Sequence, residues 1–289
     1  MNAMQSIRIL CTVVLTVISL AANAKDTVIW AVTDWPPYFI IEGDLKGQGA
    51  GDRFTDYFIS RLPEFEHKKN HMSFSRVDKE AKLGRTTCMT NRFYTEERAK
   101  HSVFTKPYAI SLSLKIVLLK DTFLRLREPE QLSIQSINEN YMLNGVLELG
   151  RSYGATLDPL LEQYLADPNL TKRRANTGQL LDMLQLKRMD YFIEYPLNFN
   201  YMIQTKNLDP DKFVNVEISE SPPYVLIWMS CSKTDLGRAV VERLNKVIDA
   251  EIATPDYWQR IAYWLSDKDA MMLERHYREN LLPATLPTP

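Results

Sequence analysis

Arg98 has the clearest potential for binding chemistry in this sequence, because the residues before it indicate the start of a helix. Thr95 is a typical helix N-cap, and Glu96 and Glu97 suit the positive end of the helix that would follow. A short helix is therefore predicted, with Arg98 in its first turn. A guanidinium beside free backbone N–H groups can hold a carboxylate through two parallel hydrogen bonds. The alternative is a solvated arginine that pairs with a nearby glutamate.

A second set of polar and aromatic side chains follows the apolar run at residues 27–32. Residues 27–32, TVIWAV, predict a strand, and residues 33–38, TDWPPY, end it in a rigid turn. This turn presents Asp34, Trp35 and Tyr38. Aromatic faces pack on the apolar or cationic part of a small ligand, so the turn is a candidate binding loop. The alternative is a tryptophan that packs in the core beside a Pro-Pro turn.

The segment from Gly150 to Gly154, GRSYG, has the G-x-S-x-G spacing of a serine nucleophile between a predicted strand and a predicted helix. A serine hydrolase also needs a histidine base and an orienting acid. In the chain order of α/β-hydrolases only His276 follows Ser152, and it lies in a charged predicted helix near the C-terminus. A hydrolase that uses Ser152 is therefore one alternative function.

Metal and phosphate chemistry are not indicated by the remaining polar residues. The histidines are scattered, and the pair with four-residue spacing, His67 and His71, is predicted to lie in a charged loop. The glycine-rich run 47–51 lacks the lysine of a phosphate-binding loop, and Asp52 is predicted to be the N-cap of the helix that follows. We expect no metal and no cofactor.

Residues 1–24 have the parts of a secretory signal peptide. Arg8 supplies the positive charge, residues 9–20 form an apolar core, and Ala22-Asn23-Ala24 is an A-x-A cleavage site. The apolar core is short for a membrane span. We expect cleavage after Ala24 and export to a periplasm.

Cys88 and Cys231 are the cysteines that remain after such cleavage, since Cys11 lies in the apolar core of the signal peptide. They have neither C-x-x-C nor zinc-site spacing. In an oxidising compartment two thiols of this kind either form a disulfide or stay buried and free. We expect the disulfide.

The elements that must position these side chains alternate between strands and helices. Apolar runs of four to eight residues between helical patterns predict α/β architecture. Residues 72–90 are predicted to form a strand, a charged turn and a second strand, and residues 111–119 a further strand. Asn176 is predicted to begin a helix, and Thr234 is predicted to cap another.

These motifs together resemble a known family. The sequence TEER at residues 95–98, with FTKPY at residues 104–108 and the apolar run 112–119, is similar to the T-x-E-R and F-S-x-P-Y signature of family 3 extracellular solute-binding proteins. These are the periplasmic amino-acid receptors of ABC importers. Residues 33–38 resemble the first binding loop of the same family.

The resemblance implies a two-lobe fold of the periplasmic binding protein type (type II), α/β in class, with two crossover strands. Lobe 1 would comprise residues 25–110 and 222–289, and lobe 2 residues 111–221. The ligand would lie between the lobes, with the α-carboxylate held by Arg98.

The resemblance also implies site residues in the second lobe. Arg151 and Ser152 would occupy a Gly/Ser-rich turn that offers backbone N–H groups to the ligand. The Arg151 side chain would either add a second positive contact, which suits an acidic ligand or a second carboxylate, or face solvent. The family places an acid that binds the ligand's ammonium group at the position of Tyr195, and here Glu194 comes one residue earlier. Since successive strand residues point to opposite faces, Glu194 is not a simple substitute.

Three function classes follow. The first is a periplasmic receptor that delivers a carboxylate-bearing solute, an amino acid or a relative, to an ABC importer. The second uses the same fold to signal to a membrane sensor. The third is an enzyme, either the Ser152 hydrolase or a dehydratase on this fold. A net charge of −1 gives no reason to expect nucleic acid as a partner, so the expected partners are a small ligand and a permease or sensor, and a monomer is expected.

Overall fold

Two six-stranded sheets organise the protein. The computed structural model describes residues 25–285 except residues 128 and 256, so the predicted signal peptide lies outside the described residues. The strands are β1 (Thr27–Val32), β2 (Glu66–His71), β3 (Thr87–Arg92), β4 (Ser102–Phe104), β5 (Ala109–Leu112), β6 (Lys115–Leu119), β7 (Gln131–Leu132), β8 (Gly145–Glu148), β9 (Leu170–Arg173), β10 (Tyr191–Glu194), β11 (Phe213–Ile218) and β12 (Tyr224–Ser232).

The first sheet has the order β2-β1-β3-β12-β4, with β5 also paired to β12. Its β1 is parallel to β2 and β3, whereas β12 is antiparallel to β3, β4 and β5. The second sheet has the order β7-β11-β6-β10-β8-β9. Here β6 is antiparallel to both neighbours, and the other pairs are parallel. We call the parts built on these sheets lobe 1 and lobe 2.

Helices cover both sheets. They are α1 (Ala50–Ile59), α2 (Phe74–Lys82), α3 (Glu96–Ala99), α4 (Lys120–Arg125), α5 (Leu157–Gln163), α6 (Thr177–Gln185), α7 (Pro196–Thr205), α8 (Asp235–Glu251), α9 (Gln259–Ala262), α10 (Asp267–His276) and α11 (Leu282–Thr285). Within the described part of the chain, no helix is both long enough and apolar enough to cross a membrane.

Three helix starts confirm the capping predictions. The hydroxyl of Thr95 accepts the backbone N–H of Arg98 at 3.2 Å, which places Arg98 in the first turn of α3. Asn176 caps α6 in the same way, and Thr234 caps α8. Each cap satisfies a backbone N–H that has no partner inside its helix.

The prediction for residues 72–90 is wrong in its first part. The first strand lies earlier, at Glu66–His71, and residues 74–82 form α2 instead of a charged turn. Ser73 caps this helix, and Val77 and Ala81, four residues apart, form its buried face. Charged residues on the other face hid the helical period. His67 and His71 therefore lie on a strand, not in a loop.

Two further boundaries differ from the predictions. Helix α1 begins after Gly49, and Asp52 is its third residue instead of its N-cap. The Asp52 carboxylate accepts the backbone N–H groups of Ile40 and Gly49, at 2.9 Å and 3.2 Å. The run 111–119 is divided between β5, which pairs with β12, and β6, which belongs to the second sheet. The chain thus passes from lobe 1 to lobe 2 inside this run.

Helix α7 joins the cores of the two lobes. Leu197 and Tyr201 belong to the core of lobe 1, which also contains the buried faces of α1 and α8. Phe199 and Ile203, on another face of α7, pack in a core cluster of lobe 2. The lobes therefore share a packed contact beside the two strands β5 and β12. The residue boundaries predicted for the lobes stay a prediction.

A disulfide joins adjacent strands of lobe 1. Cys88 in β3 and Cys231 in β12 are register partners, and their sulfur atoms are 2.01 Å apart. Both residues are buried. The structure therefore contains the expected disulfide instead of two free thiols.

Candidate ligand-binding cleft

A cleft with two compartments lies between the lobes. The first, which we call the Asp34 compartment, has a volume of about 450 Å³ and is lined by Asp34, Trp35, Pro36, Phe93, Glu148, Arg151, Ser152, Asn176, Thr177, Gly178, Tyr195, Asn198 and Met202. The second, the Arg98 compartment, has a volume of about 340 Å³ and is lined by Phe93, Thr95, Arg98, Ser113, Leu114, Tyr153, Gly154, Ala155, Thr156, Leu157, Tyr195, Ser221, Pro222 and Val225. Both volumes are in the range of small-ligand sites.

The structure brings most of the predicted site residues to this cleft. The residues that line it are Asp34, Trp35, Arg98, Arg151, Ser152 and Tyr195. Tyr38 and Glu194 are buried behind it and line neither compartment. Phe93 and Tyr195 line both compartments and so lie between them.

Arg98 keeps most of its hydrogen-bonding capacity. Its Nη1 donates to the backbone oxygen of Phe93 at 2.9 Å, which holds the side chain in place. A guanidinium has five N–H donors, so this single bond leaves donors for a ligand. The side chain is part-buried at the wall of the cleft. This geometry suits a carboxylate held by two parallel hydrogen bonds.

Arg151 is held by Glu194 in an ion pair whose carboxylate is buried. Its Nη1 and Nη2 donate to the two carboxylate oxygens of Glu194 at 2.7 Å and 2.6 Å. The pair forms because Glu194 ends β10 and Arg151 follows β8, and these strands are parallel neighbours. Burial of Arg151 opposes its charge, but the Glu194 carboxylate prevails and raises the pKa of Arg151.

Glu194 has no capacity left for a ligand. Besides Arg151, its oxygens accept the hydroxyl of Thr177 at 2.6 Å and the backbone N–H of Tyr195 at 2.7 Å. Its exposed fraction is 0%. In this structure Glu194 therefore positions Arg151, while the side chain of Tyr195, on the opposite face of the chain, lines the cleft. Burial raises the pKa of Tyr195, so its hydroxyl stays protonated.

Trp35 is supported from behind by aromatic side chains. Its ring stacks on Tyr38 with the centroids 4.5 Å apart, and it forms a T-shaped contact with Phe74 at a centroid distance of 5.6 Å. The hydroxyl of Tyr38 is 3.2 Å from Ser111 Oγ, in β5. Asp34 and Trp35 of the predicted loop therefore line the cleft, whereas Tyr38 packs against Trp35 and supports it.

Ser152 is engaged in local bonds. Its hydroxyl donates to Asp158 at 2.5 Å and accepts the backbone N–H of Gly154 at 3.1 Å. Within the described residues no histidine is bonded to Ser152, and His276 instead packs on the ring of Tyr224 at 5.1 Å. The hydrogen bonds of a Ser-His-Asp triad are therefore not formed at this turn.

Several polar residues of the cleft were missed by the sequence reasoning, among them Glu148, Asn198 and Ser113. Glu148 ends β8, and its carboxylate lies 3.6 Å from Nη1 of Arg151. Burial raises the pKa of Glu148. Its place at the carboxyl end of a parallel strand was the signal that could have revealed it. Asn198 and Ser113 carried no such signal, since one lies in an apolar helix and the other between two strands.

Comparison with known proteins gives similarity at the level of structure. No protein-family model matches the sequence, and no curated protein matches it. A histidine kinase sensor domain with similarity to periplasmic binding proteins is 18% identical, with a TM-score of 0.59 over 84% of this chain and 98% of that chain. The probable amino-acid ABC transporter extracellular-binding protein ytmK from Bacillus subtilis has the same identity of 18% and TM-score of 0.59, over 84% and 99%.

An ancestral arginine-binding protein bound to arginine is also similar, with 14% identity and a TM-score of 0.56 over 84% of this chain and 100% of that chain. Similarities at such low identity establish the fold. The chain therefore has the two-lobe, α/β, type II periplasmic binding protein fold that its motifs predict.

Proposed function

We propose that this protein is a periplasmic receptor that binds a small carboxylate-bearing solute, an amino acid or a relative, between its lobes and delivers it to an ABC importer. The observation that carries the proposal is the position of Arg98 in the cleft, with N–H donors free for a carboxylate. Its helix cap and its bond to Phe93 hold it there before any ligand arrives. Such preorganisation lowers the entropic cost of binding.

Closure of the two lobes is the proposed mode of capture. The Asp34 compartment is lined by Trp35 from lobe 1 and by Arg151 and Tyr195 from lobe 2. A ligand that bridges both lobes stabilises the closed state over the open state by its additional contacts. The closed molecule then presents a changed surface to a membrane permease.

Replacement of Arg98 by alanine tests this function. We expect a carboxylate ligand to bind at least about 2 kcal/mol more weakly to Arg98→Ala, because its charged group loses its partner in the cleft. The measurement is thermal unfolding of the mature protein with a panel of amino acids, dicarboxylates and short peptides, since a bound ligand raises the melting temperature. Arg238→Ala removes an exposed arginine that pairs with Asp235, and serves as the control. A ligand whose affinity changes less than threefold in Arg98→Ala would contradict the role of Arg98.

A second candidate is a sensory function with the same ligand chemistry. It is favoured by the similarity to the histidine kinase sensor domain, which matches as well as the transporter protein does. Deletion of the gene separates the two. Loss of uptake of the labelled ligand identifies a transport receptor, whereas normal uptake with a lost transcriptional response identifies a sensor. We propose binding without catalysis in both cases, since the solved structures named above are binding proteins or a sensor domain.

A further inference from the structure

The two compartments of the cleft differ in charge. Among the described residues that line the Arg98 compartment, Arg98 is the one charged side chain, and there is no carboxylate. The Asp34 compartment is lined by the carboxylates of Asp34 and Glu148 and by the guanidinium of Arg151. One end of the cleft is therefore positive, and the charge of the other end depends on how Arg151 is compensated.

Arg151 does not offset the two carboxylates of the Asp34 compartment. Its charge is already matched by Glu194, which is fully buried and bonded to it at 2.6 Å and 2.7 Å. Glu148 lies 3.6 Å from Arg151 and shares this cation with Glu194. Asp34 is exposed in the cleft and makes no hydrogen bond or ion pair with any described residue. Three carboxylates, those of Asp34, Glu148 and Glu194, therefore surround one guanidinium, and the Asp34 compartment is acidic.

Each compartment also contains a buried polar atom without a hydrogen-bond partner among the described residues, and the two atoms suit ligand groups of opposite kinds. Asn198 lines the Asp34 compartment, is 5% exposed, and its Oδ1 has no hydrogen-bond partner among the described residues. An oxygen of this kind accepts N–H donors. Ser113 lines the Arg98 compartment, is 6% exposed, and its Oγ also lacks a partner within the described structure. Its hydroxyl can donate to a carboxylate. Buried polar groups without partners are costly, and a ligand that bonds to them removes that cost.

We infer that the ligand is dipolar along its length, with a carboxylate in the Arg98 compartment and an ammonium or guanidinium group in the Asp34 compartment. This inference rests on the proposed receptor function and specifies its ligand class. Asp34 and Glu148 bind the cationic group, the Asn198 oxygen accepts one of its N–H donors, and the face of Trp35 adds a cation–π contact. The chain of the ligand passes Phe93 and Tyr195, which line both compartments.

Three related compounds test the inference, because norleucine and cadaverine each lack one charged group of lysine. Lysine carries both a carboxylate and a distal ammonium, norleucine lacks the distal ammonium, and cadaverine lacks the carboxylate. We expect calorimetric titration of the mature protein to give at least about tenfold tighter binding of lysine than of either other compound. Glu148→Gln and Asp34→Asn are each expected to weaken lysine binding by at least about fivefold and to weaken norleucine binding by a smaller factor, because norleucine has no distal ammonium. Glu242→Gln, which changes an exposed acid of α8, is the control.

The outcomes separate this inference from the proposed function. If norleucine binds as tightly as lysine and Arg98→Ala abolishes both, the dipolar ligand is wrong and the carboxylate receptor stands. If cadaverine binds as tightly as lysine, the role of the Arg98 compartment is wrong. If none of the three binds and no other carboxylate does, both proposals fail. Arginine in place of lysine distinguishes a guanidinium preference from an ammonium preference within the same class.

Discussion

Replacement of Arg151 by methionine is expected to destabilise the protein by about 3–5 kcal/mol, because it leaves the buried carboxylate of Glu194 without its cation. Glu194 is inaccessible to solvent, and Arg151 donates two hydrogen bonds to it at 2.6 Å and 2.7 Å. Methionine keeps much of the apolar stem of arginine, so lost packing contributes little. The measurement is urea unfolding of the mature protein with its disulfide intact.

The double variant Arg151→Met/Glu194→Gln provides the decisive control. It removes the uncompensated charge, so it should be more stable than Arg151→Met alone. Lys172→Met breaks an exposed pair with Glu162 in the same lobe, and it should cost at most about 1 kcal/mol. A loss below about 1 kcal/mol in Arg151→Met would show that Glu194 does not depend on this pair.

The parts of the fold that the sequence predicts correctly are those with a local cause. Thr95, Asn176 and Thr234 begin their helices because a side-chain oxygen satisfies a backbone N–H three residues later. Strand β1 is predicted by its apolar run, and the structure packs these residues in the core of lobe 1. In the three helices the interaction that fixes the start lies within the element, and in β1 the apolar pattern itself is local.

Strand β2 shows what local patterns cannot predict. Its sequence, EHKKNH, is polar and mostly exposed, and it has no apolar alternation. It is a strand because all six of its residues pair in register with β1, thirty-nine positions earlier in the chain. Helix α2 next to it was missed for a related reason: its two buried residues, Val77 and Ala81, are few among charged neighbours.

The cleft shows the same limit. Arg98, Arg151 and Trp35 belong to motifs, and the structure places all three at the cleft. The partner of Arg151 is set by the pairing of β8 with β10, which no spacing in the sequence indicates. Strand alternation puts Glu194 and Tyr195 on opposite faces, but only the tertiary structure shows that Glu194 pairs with Arg151.

Replacement of Asp269 by alanine is the second change with a large expected effect, again about 3–5 kcal/mol of lost stability, because it leaves the buried ammonium of Lys115 unpaired. The Asp269 carboxylate lies 3.5 Å from Lys115 Nζ, and both side chains are buried. It also accepts the amide of Asn200 at 3.0 Å and the hydroxyl of Ser266 at 2.8 Å. Among the described residues, the other hydrogen-bond contact of the Lys115 ammonium is the sulfur of Met272 at 3.7 Å, a weak acceptor.

This network joins the lobes, which gives the prediction a second readout. Asp269 lies in α10, which packs on the core of lobe 1, whereas Lys115 begins β6 and Asn200 lies in α7. Asp269→Ala should therefore loosen the contact between the lobes as well as lower stability, and amide exchange should accelerate in α7 before it does so in β3. Asp182→Ala removes an exposed partner of Lys206, the residue that follows α7. This change should lower the stability by at most about 1 kcal/mol. If Asp269→Ala and Asp182→Ala lose the same stability, the buried network contributes no more than a surface pair. In that case it does not hold the lobes together.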